Sequence, residues 1–250
     1  MKRKLEGQSV VITGASSGLG EACARAFAEA GANVALIARS EQDLRAAAKS
    51  VEELGARALV LPTDLRDAAA VSGAVTRVLD TFGGVDVLIN NAGTDAPGPV
   101  ADLEVDAWDL VLSVNLRAPF LLSKLVFPSM QRAGRGTILN ISSVAGKTGW
   151  ADAAAYCASK FGLTGFTQAL HAEGREHGIR AMIVYPGAMA THWGNWTPEE
   201  RHGSERETPE AQEALPPSDA ASLMVWLAAS PPNMVLNEVV LTPLKEQGWP

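Results

Sequence analysis

The chain has 250 residues, 47% hydrophobic and 20% charged, with a formal net charge of −7 and a sequence pI of about 5.2. That size and balance suit one α/β domain with a sizeable core, and the acidic balance argues against partners that need a basic patch, nucleic acid and anionic membranes among them. The two cysteines, Cys23 and Cys157, form no C-x-x-C pair. Neither a disulfide framework nor a zinc or other metal site is therefore expected, and a reducing, cytoplasmic setting is.

Lys2, Arg3 and Lys4 lead into Leu5-Glu6-Gly7-Gln8 rather than an apolar stretch, so no signal peptide is expected. No apolar run reaches membrane-spanning length, so no membrane role is expected either. Short, β-branched-rich apolar runs predict strands at 9–13, 33–38, 58–61, 85–89, 137–141, 181–185 and 238–241. Helical patterns fall between them, at about 18–30, 41–54, 67–82, 104–132 (broken), 154–177 and 218–229. Strands that are nearly all apolar belong in a sheet covered on both faces, and regular alternation with helices predicts a Rossmann-type, doubly wound parallel sheet of seven strands. Ser40 with Asp43 three residues on, and Thr197-Pro198-Glu199-Glu200, read as helix starts. With no linker or repeat, residues 1–250 read as a single domain.

The first strand ends in Thr13-Gly14-Ala15-Ser16-Ser17-Gly18-Leu19-Gly20 and runs into an alanine-rich helix. Glycines permit a tight turn and close backbone approach, and a helix N-terminus offers N–H groups to a pyrophosphate. The spacing is G-x-x-x-G-x-G, without the Gly-Lys-Ser/Thr of a P-loop. The second strand ends in Ala38-Arg39-Ser40, where a dinucleotide site discriminates NAD from NADP. No acid stands there for a ribose hydroxyl. Arg39 suits a 2′-phosphate, with Ser40 adding a hydrogen bond, so NADP(H) is favoured over NAD(H). The alternatives are a solvated Arg39 and a competing Glu41, which reads better as the first residue of the next helix.

Tyr156 and Lys160 lie four residues apart in Tyr-Cys-Ala-Ser-Lys, with Ser143 thirteen residues upstream of the tyrosine. On a helix that spacing shares a face. A cation about 5 Å away favours a phenolate by about 3 kcal/mol at an effective dielectric of about 20, roughly two pKa units. Such a phenol would exchange a proton with a carbonyl or alcohol oxygen near neutral pH. Cys157 beside it reads as a packing residue.

In order, Thr13-Gly14-x3-Gly18-x-Gly20, Asp64, Asn90-Asn91-Ala92-Gly93, Asn115, Ser143, Tyr156-x3-Lys160 and Pro186-Gly187-x3-Thr191 resemble the motifs of the short-chain dehydrogenase/reductase family, of the compact type of roughly 250 residues, across nearly the whole chain. The resemblance implies a general acid/base in Tyr156 and a dual role for Lys160, lowering the phenol pKa and holding the nicotinamide ribose. It implies a substrate-oxygen donor in Ser143 and a water-fixing residue in Asn115. Asp64 with Leu65 would meet the adenine, and Asn91, Ala92 and Gly93 would line the adenosine ribose. Pro186, Gly187 and Thr191 would hold the carboxamide. Many NADP-using relatives carry a basic residue in the glycine turn, where this chain has Ser16-Ser17.

For single residues other readings stand beside these. Ser142 rivals Ser143, Asn115 could merely bend its helix, and Asp64 could cap the helix that follows. Substrate selection is expected in 145–155, with Trp150, and in a mobile lid at about 188–215. In the lid, Trp193 and Trp196 either wall a pocket or pack the lid down. His192 reads as a lid residue, and His171 and His177 as surface positions. The apolar helices at about 104–132 and 154–177 would form a homodimer or homotetramer interface. The expected activity is reduction of a ketone or aldehyde, or oxidation of the corresponding secondary alcohol, as a small-molecule carbonyl reductase. Alternatives are a fatty-acid-type 3-oxoacyl reductase and a non-catalytic dinucleotide-sensing protein.

Overall fold

A computed structural model describes residues 4–191 and 214–246. His192, Trp193, Trp196, the Thr197 helix start and nearly all of the expected lid lie outside the described residues. Strands β1 (Ser9–Thr13), β2 (Asn33–Ala38), β3 (Ala58–Pro62), β4 (Val87–Asn90), β5 (Gly136–Ile141), β6 (Ile179–Pro186) and β7 (Glu238–Leu241) form one sheet. Its order is β3-β2-β1-β4-β5-β6-β7 and every pairing is parallel. The expected seven-stranded, doubly wound sheet is present, with element ends shifted by at most three residues.

Within each central strand, neighbouring side chains go to opposite faces. Val10 and Ile12, Val34 and Leu36, and Val87 and Ile89 join one core; Val11, Ala35, Ile37 and Leu88 join the other. The first core is closed by α1 (Gly18–Glu29), α2 (Glu41–Glu53) and α7 (Pro217–Ala229), through Phe27, Leu44, Val51 and Met224 among others. The second is closed by α3 (Ala68–Phe82), α5 (Ala118–Ala133) and α6 (Ala154–Gly174), through Val75, Leu122, Met130 and Leu170. Helix starts follow local chemistry: Ser40 accepts a hydrogen bond from Asp43 N–H at 3.3 Å, and Asp67 accepts from Ala69 and Ala70.

The expected break in the 104–132 helix is a π-helical turn, Ser113–Arg117, between α4 (Val105–Leu112) and α5. The whole run Val105–Ala133 is long and apolar enough, by length and composition, to cross a membrane, contrary to the expectation that no segment is. In this fold its apolar stripe Val111, Ala118, Leu122, Val126 and Met130 is buried within the protein. Asp106, Asp109, Arg117, Lys124 and Arg132 interrupt it, which is why no single apolar run stood out. His177 is exposed as expected, whereas His171 is half-buried with its Nδ1 enclosed.

The strand order reverses between β1 and β4, so the carboxyl ends of these strands open a crevice for a ligand. At the opposite end of the sheet, Arg180 is buried without an acidic partner among the described residues. Its Nη1 donates to the carbonyls of Ser230, Pro231 and Met234 and to Ser230 Oγ. Its Nη2 donates to Ala228 O and Thr137 Oγ1. This one side chain satisfies the backbone that joins α7 to β7. Arg180→Met should strand those carbonyls and lower unfolding stability by about 3 kcal/mol, measured by urea denaturation.

Candidate active site

The turn after β1 holds Gly14 and Gly18 at positive φ, +67° and +55°. A Cβ on Gly14 would come 2.9 Å from Ala92 Cα, and one on Gly20 would strike the Gly14 carbonyl. The turn is tied to the β4 loop as well. Thr13 Oγ1 accepts from Asn91 and Ala92 N–H, each at 3.0 Å, and Asn91 Nδ2 donates to Thr13 O at 3.0 Å. Ser17, exposed and extended, precedes α1 and makes no side-chain cap. Ser16 and the buried Leu19 complete the turn. Bare backbone held at a helix N-terminus is the form that fits a pyrophosphate, so these residues match a dinucleotide.

Arg39 is exposed at the end of β2. Ser40 uses its oxygen as the α2 cap, which leaves its proton for an outside acceptor. Glu41 begins α2 and is engaged by Arg45, so it does not compete for Arg39. Asp64 is not a helix cap; Asp67 is. Arg66 grips both Asp64 oxygens and, helped by Arg39, holds the carboxyl down at about 2. Leu65 between them is buried.

Strand β5 runs into Ser142 and Ser143. Ser143 hydrogen-bonds the Tyr156 phenol, whereas Ser142 Oγ donates to Lys160 O at 3.4 Å, on the α6 backbone. The two serines are thus separated by the alternation of a strand end, and Ser143 is the one beside the tyrosine. Tyr156 and Lys160, one turn apart on α6, are both buried, at 8% and 3% exposure. Cys157 packs with Ala145, Ala153 and Tyr156, as expected.

The expected fall in the tyrosine pKa is not found. Burial raises the phenol well above its ordinary range, the Ser143 hydrogen bond opposes this, and the charge of Asp95 adds to it. Lys160 Nζ lies 5.5 Å from the ring centroid and donates to Ile141 O at 2.9 Å. Desolvation of the phenolate outweighs an ammonium so placed. Lys160 is itself brought down to about 8 by burial.

Asn115 sits in the π turn, and its amide is fully engaged. It accepts from Thr94 N–H at 2.8 Å and donates to Thr94 O at 2.8 Å and to Ser159 Oγ at 3.0 Å. Pro186 ends β6, and Gly187 N–H donates to Leu241 O at 2.9 Å. Thr191 lies against Gly18, which brings the end of the Pro-Gly motif to the glycine turn. Gly93 lies in the half-buried run that follows Asn91 and Ala92.

Three further residues take part that sequence reasoning passed over. Glu246 accepts from Ala188 N–H at 2.9 Å and covers Gly187, 58 or more residues away in sequence. Arg66 orients Asp64. Asp95 acts electrostatically on both Tyr156 and Lys160. Only Arg66, two residues from Asp64, left a local signal.

A glycine turn at the switch point of a parallel sheet, with a serine, tyrosine and lysine gathered beyond the carboxyl end of β5, defines a dinucleotide-binding α/β class. The short chain dehydrogenase family model matches residues 8–201, and the chain belongs to that family. Ketoacyl reductase HetN of Nostoc sp. is 39% identical over 74% of this chain, which spans 65% of that relative's length. D-threitol dehydrogenase of Mycolicibacterium smegmatis is 32% identical over 93% of this chain and 90% of its own. Among solved structures, a metagenomic short-chain oxidoreductase in complex with NADP superposes with a TM-score of 0.82 at 37% identity, covering 95% of this chain and 98% of its own.

Lys160 carries a stability consequence. Its depressed pKa, about 8 against an ordinary 10.5, means that folding with the ammonium buried costs about 3 kcal/mol at neutral pH. Lys160→Met removes that charge, so it should unfold at a higher temperature than the parent at pH 7 despite losing the bond to Ile141 O. The unfolded chain binds the extra proton between the two pKa values, so the parent gains stability as pH rises from about 8 to 10.5. Thermal melts should show the variant's advantage shrinking over that window.

Proposed function

We propose that the chain is an NADP(H)-dependent oxidoreductase that reduces a ketone or aldehyde, or oxidises the matching secondary alcohol. The convergence of Ser143, Tyr156 and Lys160, at the same carboxyl edge of the sheet as the glycine turn, carries this reading. Bound NADPH would supply the hydride. Ser143 and Tyr156 then hydrogen-bond the carbonyl oxygen, which becomes far more basic as negative charge develops on it. A phenol held protonated by burial is an acid ready for that oxygen, and it delivers its proton as the alkoxide forms. Lys160, one turn away, steadies the phenolate left behind and holds the ribose hydroxyls. Asn115 has its side chain committed to Thr94 and Ser159, so a proton-supplying water is assigned to its backbone, where the π turn relaxes the regular helix pattern.

NADP(H) is preferred over NAD(H) because the end of β2 presents Arg39 and Ser40 and no free acid. The NADP-bound relative and an alcohol dehydrogenase from Thermococcus sibiricus complexed with 5-hydroxy-NADP, 28% identical with a TM-score of 0.87, support this preference. A second reading, 3-oxoacyl reduction, is favoured by the ketoacyl reductases among the relatives. The stretch at about 188–215 is assigned to substrate selection. Exposed Phe120 on α5 and Phe161 on α6 support a homodimer or homotetramer through those helices. Buried, unpaired Cys23 and Cys157 support a reducing, cytoplasmic setting.

With NADPH and a panel of ketones and aldehydes, the wild type should consume cofactor. Tyr156→Phe should lower kcat by about a thousandfold with little change in cofactor binding, because only proton transfer is removed. Near-wild-type turnover by that variant contradicts the mechanism. Arg39→Asp should raise the KM for NADPH at least about tenfold and leave that for NADH nearly unchanged, since a charge-assisted phosphate contact is lost. Equal losses for both cofactors contradict the NADP assignment.

A further inference from the structure

The segment 94–98 follows the Asn91-Ala92-Gly93 motif and is tied to the start of α6 at both ends, just ahead of the helix at one and through Asn115 at the other. At one end, Thr94 exchanges two hydrogen bonds with the Asn115 amide, which itself holds Ser159. At the other, Gly98 N–H donates to Asp152 O at 2.8 Å, and Gly98 bridges Ala153. The anchors on α6, Ala153 and Ser159, are about 9 Å apart along the helix axis, and the segment spans at most about 14 Å when extended. It therefore passes close to the first turn of α6, where Tyr156 lies midway between the anchor positions.

Asp95 sits in this strap, half-buried. Its charge acts on Tyr156 and Lys160, and the charge of Lys160 acts on it in turn. One carboxylate oxygen, Oδ1, accepts from Ala96 N–H at 2.7 Å; Oδ2 takes no hydrogen bond among the described residues. Lys160 makes no ion pair with it, and its ammonium donates to Ile141 O. A half-buried acceptor beside the reacting groups favours a ligand that brings a donor and disfavours one that brings negative charge.

We infer that Asp95 is a specificity residue, its free carboxylate oxygen receiving a hydroxyl or ammonium group carried next to the reacting carbonyl. The preferred substrates are then α-hydroxy or α-amino ketones, or the corresponding vicinal diols and amino alcohols. 2-Oxo acids are rejected. This inference rests on the oxidoreductase reading above and deepens it, since that reading leaves the substrate class open.

The test compares substrate pairs in which a methyl group replaces the hydroxyl: hydroxyacetone against butanone, and phenacyl alcohol against propiophenone, with NADPH. Aminoacetone and pyruvate serve as cationic and anionic probes. A charge-assisted hydrogen bond predicts that wild-type kcat/KM favours the hydroxylated member of a pair by about tenfold or more, and disfavours pyruvate. In Asp95→Leu that ratio should fall to within about twofold of unity, and in Asp95→Asn the aminoacetone preference should fall most. The ratio is internal to each preparation, so a partly folded variant still reports it, and NADPH binding by fluorescence checks the fold. A wild-type preference that survives in Asp95→Leu, or no wild-type preference, overturns the inference alone. No turnover of any of these compounds, with turnover of other members of the ketone and aldehyde panel, overturns the inference alone; no NADPH consumption with any member of the panel overturns the oxidoreductase reading and the inference with it.

Discussion

The arrangement of the site depends on the buried amide of Asn115. Its oxygen and nitrogen close a two-point contact with the backbone of Thr94, and the same nitrogen reaches Ser159, whose hydroxyl donates to Tyr156 O at 2.7 Å. One side chain thus connects the loop after β4, the break between α4 and α5, and the turn of α6 that carries the tyrosine. Loss of the amide would strand the N–H and C=O of Thr94 in a partly dry setting, at about 1–3 kcal/mol for each unsatisfied group. The π turn makes the connection possible. Its extra residue lets a polar side chain enter between two apolar helices, while the stripe from Val111 to Met130 remains buried on either side of it.

The same stretch of chain serves the cofactor end. Asn91 and Ala92 are held by Thr13 and pressed against Gly14, while Thr94, two residues on, is held by Asn115. The glycine turn and, through Asn115 and Ser159, the helix turn that carries Tyr156 are therefore both fastened to one short run leaving β4. Movement of that run would alter both at once, so β1 and β4 need to be adjacent in the sheet even though 73 residues separate Thr13 from Val87. Parallel pairing fixes this adjacency through main-chain hydrogen bonds, and the two hydrophobic cores hold the strands from either face.

Periodicity made the sheet legible in the sequence, because strands buried on both faces are apolar throughout and stand out between amphipathic helices. The spacing of Tyr156 and Lys160, the thirteen-residue offset of Ser143 and the glycine turn were legible for the same reason: their geometry is local or set by a recurrent motif. What stayed hidden depends on tertiary contact. Asp95 looks like any loop acid until Thr94 and Gly98 are seen tied to α6. Glu246 meets Ala188 only because β6 and β7 pair. The sign of the Tyr156 shift was misjudged because residue spacing reports a neighbouring charge and says nothing about how much water the phenol has lost.

That correction changes how the tyrosine and lysine act together. An exposed pair would be ruled by attraction between ammonium and phenolate, but here desolvation acts on both groups and favours the neutral form of each. The phenol retains its proton, while the lysine, with a pKa near 8, is still mainly cationic at neutral pH. In the proposed mechanism its charge becomes most useful after the tyrosine has given up its proton, when a buried phenolate has little water to stabilise it. The balance suits proton delivery to a developing alkoxide. The reverse reaction must first remove the phenol proton against burial and against the field of Asp95. In the proposed mechanism, the unfavourable ammonium that the folded state keeps buried is already in place when the phenolate forms.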